Sequence, residues 1–120
     1  MSKRILVVDD DYDTRNLAQK ILELKGFEIL TATDEKQALQ ILEQMEIHLI
    51  LLDILMPRID GFKFFRTVKQ ELKLKIPILF FTAIAPLQDQ QKKDKAGVDG
   101  YITKPVSAED LIQQVMKFFS

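Results

Sequence analysis

A chain of 120 residues, 47% hydrophobic and 29% charged, is long enough to close one core and too apolar to stay disordered. Seventeen basic against eighteen acidic residues give a net charge of −1, which argues against general nucleic-acid binding, because phosphate backbones recruit a basic surface. With no cysteine there is no disulfide or thiolate zinc site, and no apolar run forms a signal-peptide core or a membrane span, so a cytoplasmic protein is expected.

Ile5-Leu6-Val7-Val8 is a continuous apolar run that reads as a first strand, and Asp9-Asp10-Asp11 follow it. Leu17, Ala18, Ile21, Leu22 and Leu24 then share a helical face, with Gly26 placed to end that helix as a C-cap would. Glu28 to Ala32 is the second strand candidate. Asp34 stands where an N-cap belongs, ahead of Ala38, Leu39, Ile41, Leu42 and Met45 at helical spacing. His48 precedes a third strand, Leu49 to Leu52, which runs straight into Asp53. Phe62, Phe65, Val68 and Leu72 repeat the helical face after Gly61. Ile78 to Phe81 is a fourth strand and Thr82 closes it. Gln88 to Lys95, inside the segment Pro86 to Ala96, has almost nothing to bury, so this predicted fourth helix is expected to be the least firmly held. Tyr101 to Thr103 is the fifth strand, ended by Lys104-Pro105. Leu111, Ile112, Val115, Met116 and Phe119 make a last helix behind Ser107.

Strict strand–helix alternation predicts a doubly wound α/β domain over residues 1–120, with no linker, no repeat and no output domain expected in this chain. Strands apolar throughout suit a parallel sheet covered on both faces. Ligands of such sheets sit beyond the carboxyl ends of the strands. Those ends carry Asp9, Asp10 and Asp11, then Asp53, Thr82 and Lys104. Taken singly each has a plain reading: an acid run makes a solvated turn or N-cap, a threonine a strand residue, a lysine a solvated cation. Their gathering at one edge favours chemistry. Clustered carboxylates want a cation, and oxygen ligands without His or Cys point to Mg²⁺. A metal would hold Asp53 ionised as a nucleophile, while Lys104 and Thr82 would share the oxygens of an incoming phosphoryl group.

ILVVDDD, LLDILMPRIDG, FFTA and GYITKP together resemble a response-regulator receiver domain of two-component signalling, in the family's order and across the whole chain. The resemblance implies a flavodoxin-like (βα)5 fold with a five-stranded parallel sheet of order 2-1-3-4-5. It also implies that Asp53 is the phosphoacceptor, Asp10 a direct Mg²⁺ ligand, Asp9 its helper through water, and the Leu55 backbone carbonyl a third ligand. Thr82 resembles the switch hydroxyl, Lys104 the cation that pairs with the phosphoryl group, and Tyr101 the aromatic switch. The Lys104–Pro105 bond is a candidate cis peptide, and Met56, Pro57 and Gly61 match the loop that shapes the site. Implied partners are a histidine kinase or histidine phosphotransfer protein and a downstream protein target reached through the face of helix 4, strand 5 and helix 5. Direct nucleic-acid or membrane binding is not implied, nor turnover of a free substrate.

Gly100 stands where DNA-binding members of the family usually carry an acid before the switch tyrosine, and Gln113 and Gln114 where they carry an arginine. A stand-alone, chemotaxis-regulator-like protein, monomeric or weakly dimeric on phosphorylation, fits better than their charged dimer. A Mg²⁺-dependent haloacid-dehalogenase-type phosphohydrolase is the alternative, but it needs an acid where Leu55 stands. A calcium loop over Asp9, Asp11 and Asp13 fails at Thr14 and Lys20, and DDDYD would repel a flavin phosphate. His48 lies away from the rim and reads as structural. The resemblance also implies that the side chains two residues beyond Asp53 and Thr82 flank the path of a hydrolytic water; here they are Leu55 and Ile84, both apolar, so a long phosphoryl lifetime is expected.

Overall fold

The apolar runs form strands because each is covered on both faces. The structure, a computed structural model, describes residues 3–53, 61–82, 99–104 and 106–119, apart from the side chains of Phe62 and Thr82. Strands β1 (Arg4–Val8), β2 (Glu28–Ala32), β3 (Leu49–Leu52), β4 (Ile78–Thr82) and β5 (Gly100–Thr103) make one parallel sheet of order β2-β1-β3-β4-β5. This is the order that the resemblance implies. Alternate residues of the central strands feed two separate cores. Ile5, Val7, Leu49 and Leu51 pack with Ala18 and Leu22 of helix α1 (Tyr12–Glu23) and with Leu111 and Val115 of the C-terminal helix (Ala108–Met116). Leu6, Val8, Ile50 and Leu52 pack with Ala38 of α2 (Glu35–Gln44) and with Phe64 of α3 (Gly61–Arg66).

The caps are local hydrogen-bond chemistry. Asp34 accepts from the Gln37 N–H at 2.8 Å and Ser107 from the Asp110 N–H at 3.1 Å, so both expected N-caps are in place. The end of α1 differs from the expectation. Leu24 is its C-cap and is 86% exposed, and Leu17 is 57% exposed, because the buried stripe runs through Ala18 and Leu22. Gly26 adopts a left-handed φ of 89°, two residues beyond that cap, and turns the chain into β2. Leu72 and Met116, read as core positions, are also exposed. The segment Pro86 to Ala96 lies outside the described residues.

α3 passes directly into a π turn, Thr67–Glu71, in which the Leu72 N–H reaches the Thr67 carbonyl at 2.9 Å. Lys73 follows with φ 55°, a left-handed conformation that a side chain disfavours. It lets the Leu74 N–H return to the Val68 carbonyl at 3.0 Å, and Leu74 packs on the core. Lys73→Gly is therefore expected to stabilise the fold by about 0.5–1 kcal/mol. Urea unfolding checks this: the midpoint should rise at unchanged slope.

Two polar groups fasten the far end of the sheet. His48 accepts the Arg4 N–H on Nδ1 at 2.9 Å and faces Glu46 Oε1 through Nε2 at 3.2 Å, a structural role as expected. Asp99 Oδ2 accepts from the Ile78 N–H at 2.8 Å and from Lys69 Nζ at 3.1 Å, which ties the entry of β5 to that of β4. At Gly100 an added Cβ would stand 2.5 Å from Leu79 Cδ2, inside the core. The acid missing at this position thus has no room without moving a buried leucine.

Candidate functional site

Parallel strands deliver their last residues to one rim, and backbone pairing fixes two acids there. The Asp9 N–H donates to the Ala32 carbonyl at 3.1 Å and the Asp53 N–H to the Val8 carbonyl at 3.0 Å, so each acid extends its strand's ladder by one residue. Both side chains are consequently buried, Asp9 completely and Asp53 to 7% exposure. Asp10 is exposed beside them. One carboxylate oxygen from each of Asp9, Asp10 and Asp53 lies within 4.8 Å of the other two. Lys104, the residue after β5, offsets this charge. Its Nζ stands 2.6 Å from Asp9 Oδ2 and 3.2 Å from Asp53 Oδ2, with the Phe81 ring centroid 5.0 Å away. A bridging ammonium is what makes two buried carboxylates tolerable.

The acid run divides between two tasks. Asp9 Oδ1 accepts the Asp11 N–H at 2.9 Å, which draws the chain into the start of α1. Asp11 then caps that helix, and the Thr14 hydroxyl and N–H hold its carboxyl below the usual carboxylate range. The N-cap reading of the run is right for Asp11, while Asp9 and Asp10 belong to the rim. Three carboxylates without nitrogen or sulfur donors form a donor set suited to a hard cation such as Mg²⁺.

Burial pushes the Asp9 carboxyl above its ordinary range, and repulsion from Asp53 adds to that; the Lys104 contact and the Asp11 N–H oppose it. A carboxyl with a raised folded pKa favours the fold while protonated. Its contribution is fullest below the unfolded value near 4 and is lost as pH rises through the folded value. In metal-free buffer, the stability of wild type minus that of Asp9→Asn should therefore fall as pH rises from about 4. Urea unfolding at stepped pH measures it. A difference that grows with pH would mean that the Lys104 pair outweighs burial.

Tyr101 is half-buried on β5, its ring 6.2 Å from that of Phe80 and packed against the core beneath α2 and α3. Thr82 ends β4 in register with Thr103. The Thr82 side chain, Leu55, Met56, Pro57, Ile84 and Pro105 lie outside the described residues. Sequence reasoning missed Arg15, whose Nη1 donates to the Asp9 carbonyl at 2.9 Å. Its partner is a backbone carbonyl, so the sequence carried no signal for this contact.

Comparison with known proteins agrees with this geometry. Residues 5–116 match the family described as the response regulator receiver domain. The uncharacterized transcriptional regulatory protein YrkP of Bacillus subtilis is 40% identical over 116 residues, covering 97% of this chain and 49% of that protein. The chain spans about half the length of most of the curated relatives it matches. Among solved structures, a CheY-like response regulator receiver domain protein from Methanospirillum hungatei superposes with a TM-score of 0.87 at 31% identity, covering 98% of this chain and 93% of that one. The chemotaxis response regulator CheY4 of Vibrio cholerae gives 0.89 at 28%, covering 98% and 99%. A match that begins in β1 and closes with the C-terminal helix takes in every element of the sheet and both of its faces, and the chain belongs to the response regulator receiver domain family.

Proposed function

We propose that this receiver domain accepts a phosphoryl group on Asp53 from a histidine kinase or histidine phosphotransfer protein, in a reaction that needs Mg²⁺. The observation that carries this reading is a nearly buried Asp53 carboxylate converging with Asp9 and Asp10 within 4.8 Å, and touched by the Lys104 ammonium at 3.2 Å. An oxygen of Asp53 attacks the phosphorus of a phosphohistidine. The new P–O bond forms as the P–N bond breaks, and its electron pair leaves on the imidazole nitrogen. Asp9 and Asp10, with Asp53, would hold Mg²⁺, which supplies positive charge facing the phosphoryl oxygens. Lys104 already lies against Asp53 and follows the negative charge onto the phosphoryl group. Thr82 is assigned the hydroxyl that turns toward that group, Leu55 a backbone carbonyl on the metal, and Tyr101 the ring that responds.

Partner access is supported by a groove of about 350 Å³ between α1 and the C-terminal helix. Leu17, Ala18, Ile21, Val106 and Leu111 line it, and Lys104 stands at its end. The exposed Leu17 gives a phosphodonor protein an apolar hold beside the acceptor. The signal then leaves through Gln88 to Lys95, β5 and the C-terminal helix toward a protein target. No helix of the described residues is long and apolar enough to cross a membrane.

The test is intact mass after incubation with acetyl phosphate and Mg²⁺. One added phosphoryl group is expected in wild type and none in Asp53→Asn. That variant should melt no lower than wild type without metal, since it relieves repulsion and leaves the 2.6 Å Lys104–Asp9 contact in place. Phosphorylation that persists in Asp53→Asn refutes the assignment.

A further inference from the structure

The outer edge of the sheet holds a polar site that the acidic rim does not use. β2 is a terminal strand, so one side of its backbone has no neighbouring strand. Over that edge lies a depression of about 420 Å³, lined by Arg15, Thr31, Thr33, Gln37, Gln40 and Gln44, with Ile41 as its one apolar wall. Thr31 lies in β2 and Thr33 just beyond its end, and the glutamines are spaced i, i+3, i+7 on α2. Both elements therefore turn a neutral hydrogen-bonding face to the same space.

Its charge is out of keeping with its surroundings. Asp10, Asp11, Asp13, Asp34 and Glu35 crowd the starts of α1 and α2, yet no carboxylate lines the depression and one guanidinium does. Arg15 makes no ion pair among the described residues. It is held instead by the neutral Asp9 carbonyl at 2.9 Å and by the Tyr12 ring, 5.8 Å from its Cζ, while the Asp11 carboxylate attracts it without closing an ion pair. Gln37 Oε1 accepts both the Thr33 N–H at 2.8 Å and the Thr33 hydroxyl at 2.9 Å. That commits the acceptor of this amide to the turn after β2 and leaves its NH₂ as a donor. The Thr33 N–H and hydroxyl are spent on that oxygen, and a positive charge with glutamine NH₂ donors around it is complementary to an oxyanion.

We infer that this depression binds a small oxyanion-bearing metabolite, and that its occupancy strengthens cation binding at Asp9, Asp10 and Asp53. The second half rests on the Mg²⁺ reading of the rim. Arg15 is the link, because it touches the backbone of Asp9 while its charge opposes a cation at the adjacent carboxylates. An anion on the guanidinium cancels that opposition, and by linkage the metal tightens the anion to the same degree.

The metal-free protein is titrated with sodium sulfate and, separately, with sodium malonate, at ionic strength held constant with sodium chloride. NMR follows the Arg15 Nε–H, the Thr33 amide and the side-chain NH₂ groups of Gln37, Gln40 and Gln44. Saturable shifts confined to these groups, lost in Arg15→Gln and in Gln40→Glu, are expected. The tighter of the two anions identifies the headgroup geometry. Shifts that do not saturate, that spread over the surface, or that persist in both variants overturn the site. Mg²⁺ affinity, read from the Asp10 and Asp53 amides, should then rise roughly fivefold at saturating anion, and stay flat in Gln40→Glu. Unchanged Mg²⁺ affinity with the anion site saturated overturns the coupling. Saturable anion shifts in a protein that takes up no Mg²⁺ would uphold the site and refute the metal reading instead.

Discussion

Lys104→Met should unfold far more readily than wild type in metal-free buffer at pH 7, with a loss of about 3 kcal/mol. Methionine keeps the unbranched stem against Phe81 but removes the ammonium from two buried carboxylates. Breaking one side of a buried ion pair typically costs roughly 3–5 kcal/mol, and the lower end applies because the Lys104 side chain retains 19% exposure. Two routes of relief follow from the same geometry. Lowering the pH to 5 favours a proton on Asp9, whose carboxyl burial already pushes up, and so lessens the repulsion. On the Mg²⁺ reading of the rim, the metal should also replace it and bind the variant more tightly than wild type, where an ammonium stands 2.6 Å from Asp9 Oδ2. Urea unfolding at both pH values, with and without Mg²⁺, measures all of this. An equal loss under every condition would show that Lys104 contributes packing and not charge.

Phe80→Ala is expected to cost about 4 kcal/mol and to loosen Tyr101. The Phe80 ring is fully buried and meets two others edge-on, Phe65 at 5.7 Å and Tyr101 at 6.2 Å. Truncation therefore opens a cavity under α3 and removes two favourable ring contacts at once. Phe80→Leu fills most of the space and should cost about 1 kcal/mol. The chain has two tyrosines and no tryptophan, so in a Tyr12→Phe background the emission anisotropy reports Tyr101 alone. Equal losses for the alanine and leucine variants would mean that the site collapses around the truncation.

The sheet was legible because its central strands are buried on both faces, and continuous apolar runs have few other solutions. β2 and β3 have the bounds their residues imply; β1, β4 and β5 each gain one flanking residue, Arg4, Thr82 and Gly100, by pairing with a neighbour. Helix faces were less legible at their ends, where Leu24 fits the periodicity of α1 but falls on its cap. The rim residues Asp9, Asp53 and Lys104 could be named because each terminates a strand. Which carboxylate Lys104 grips more closely depends on tertiary distance, and Asp9, not Asp53, has the shorter contact. The loss of charge at Gly100 was visible, but its steric reason required Leu79 to be placed. Arg15 stayed hidden because its partner is a backbone carbonyl, which no side-chain pattern marks.

The π turn at Thr67–Glu71 has a consequence for chain length. A turn closed five residues back contains one residue more than an α-helical turn, so the helix carries a spare residue halfway between Phe65 and Leu74. Gln70 is exposed there and makes no side-chain hydrogen bond among the described residues that deleting it would forfeit. Deletion of Gln70 would let the ladder close four residues back, while Leu74 and Ile76 need not leave the core they pack on. At this place the domain is expected to lose a residue without altering the register of β4.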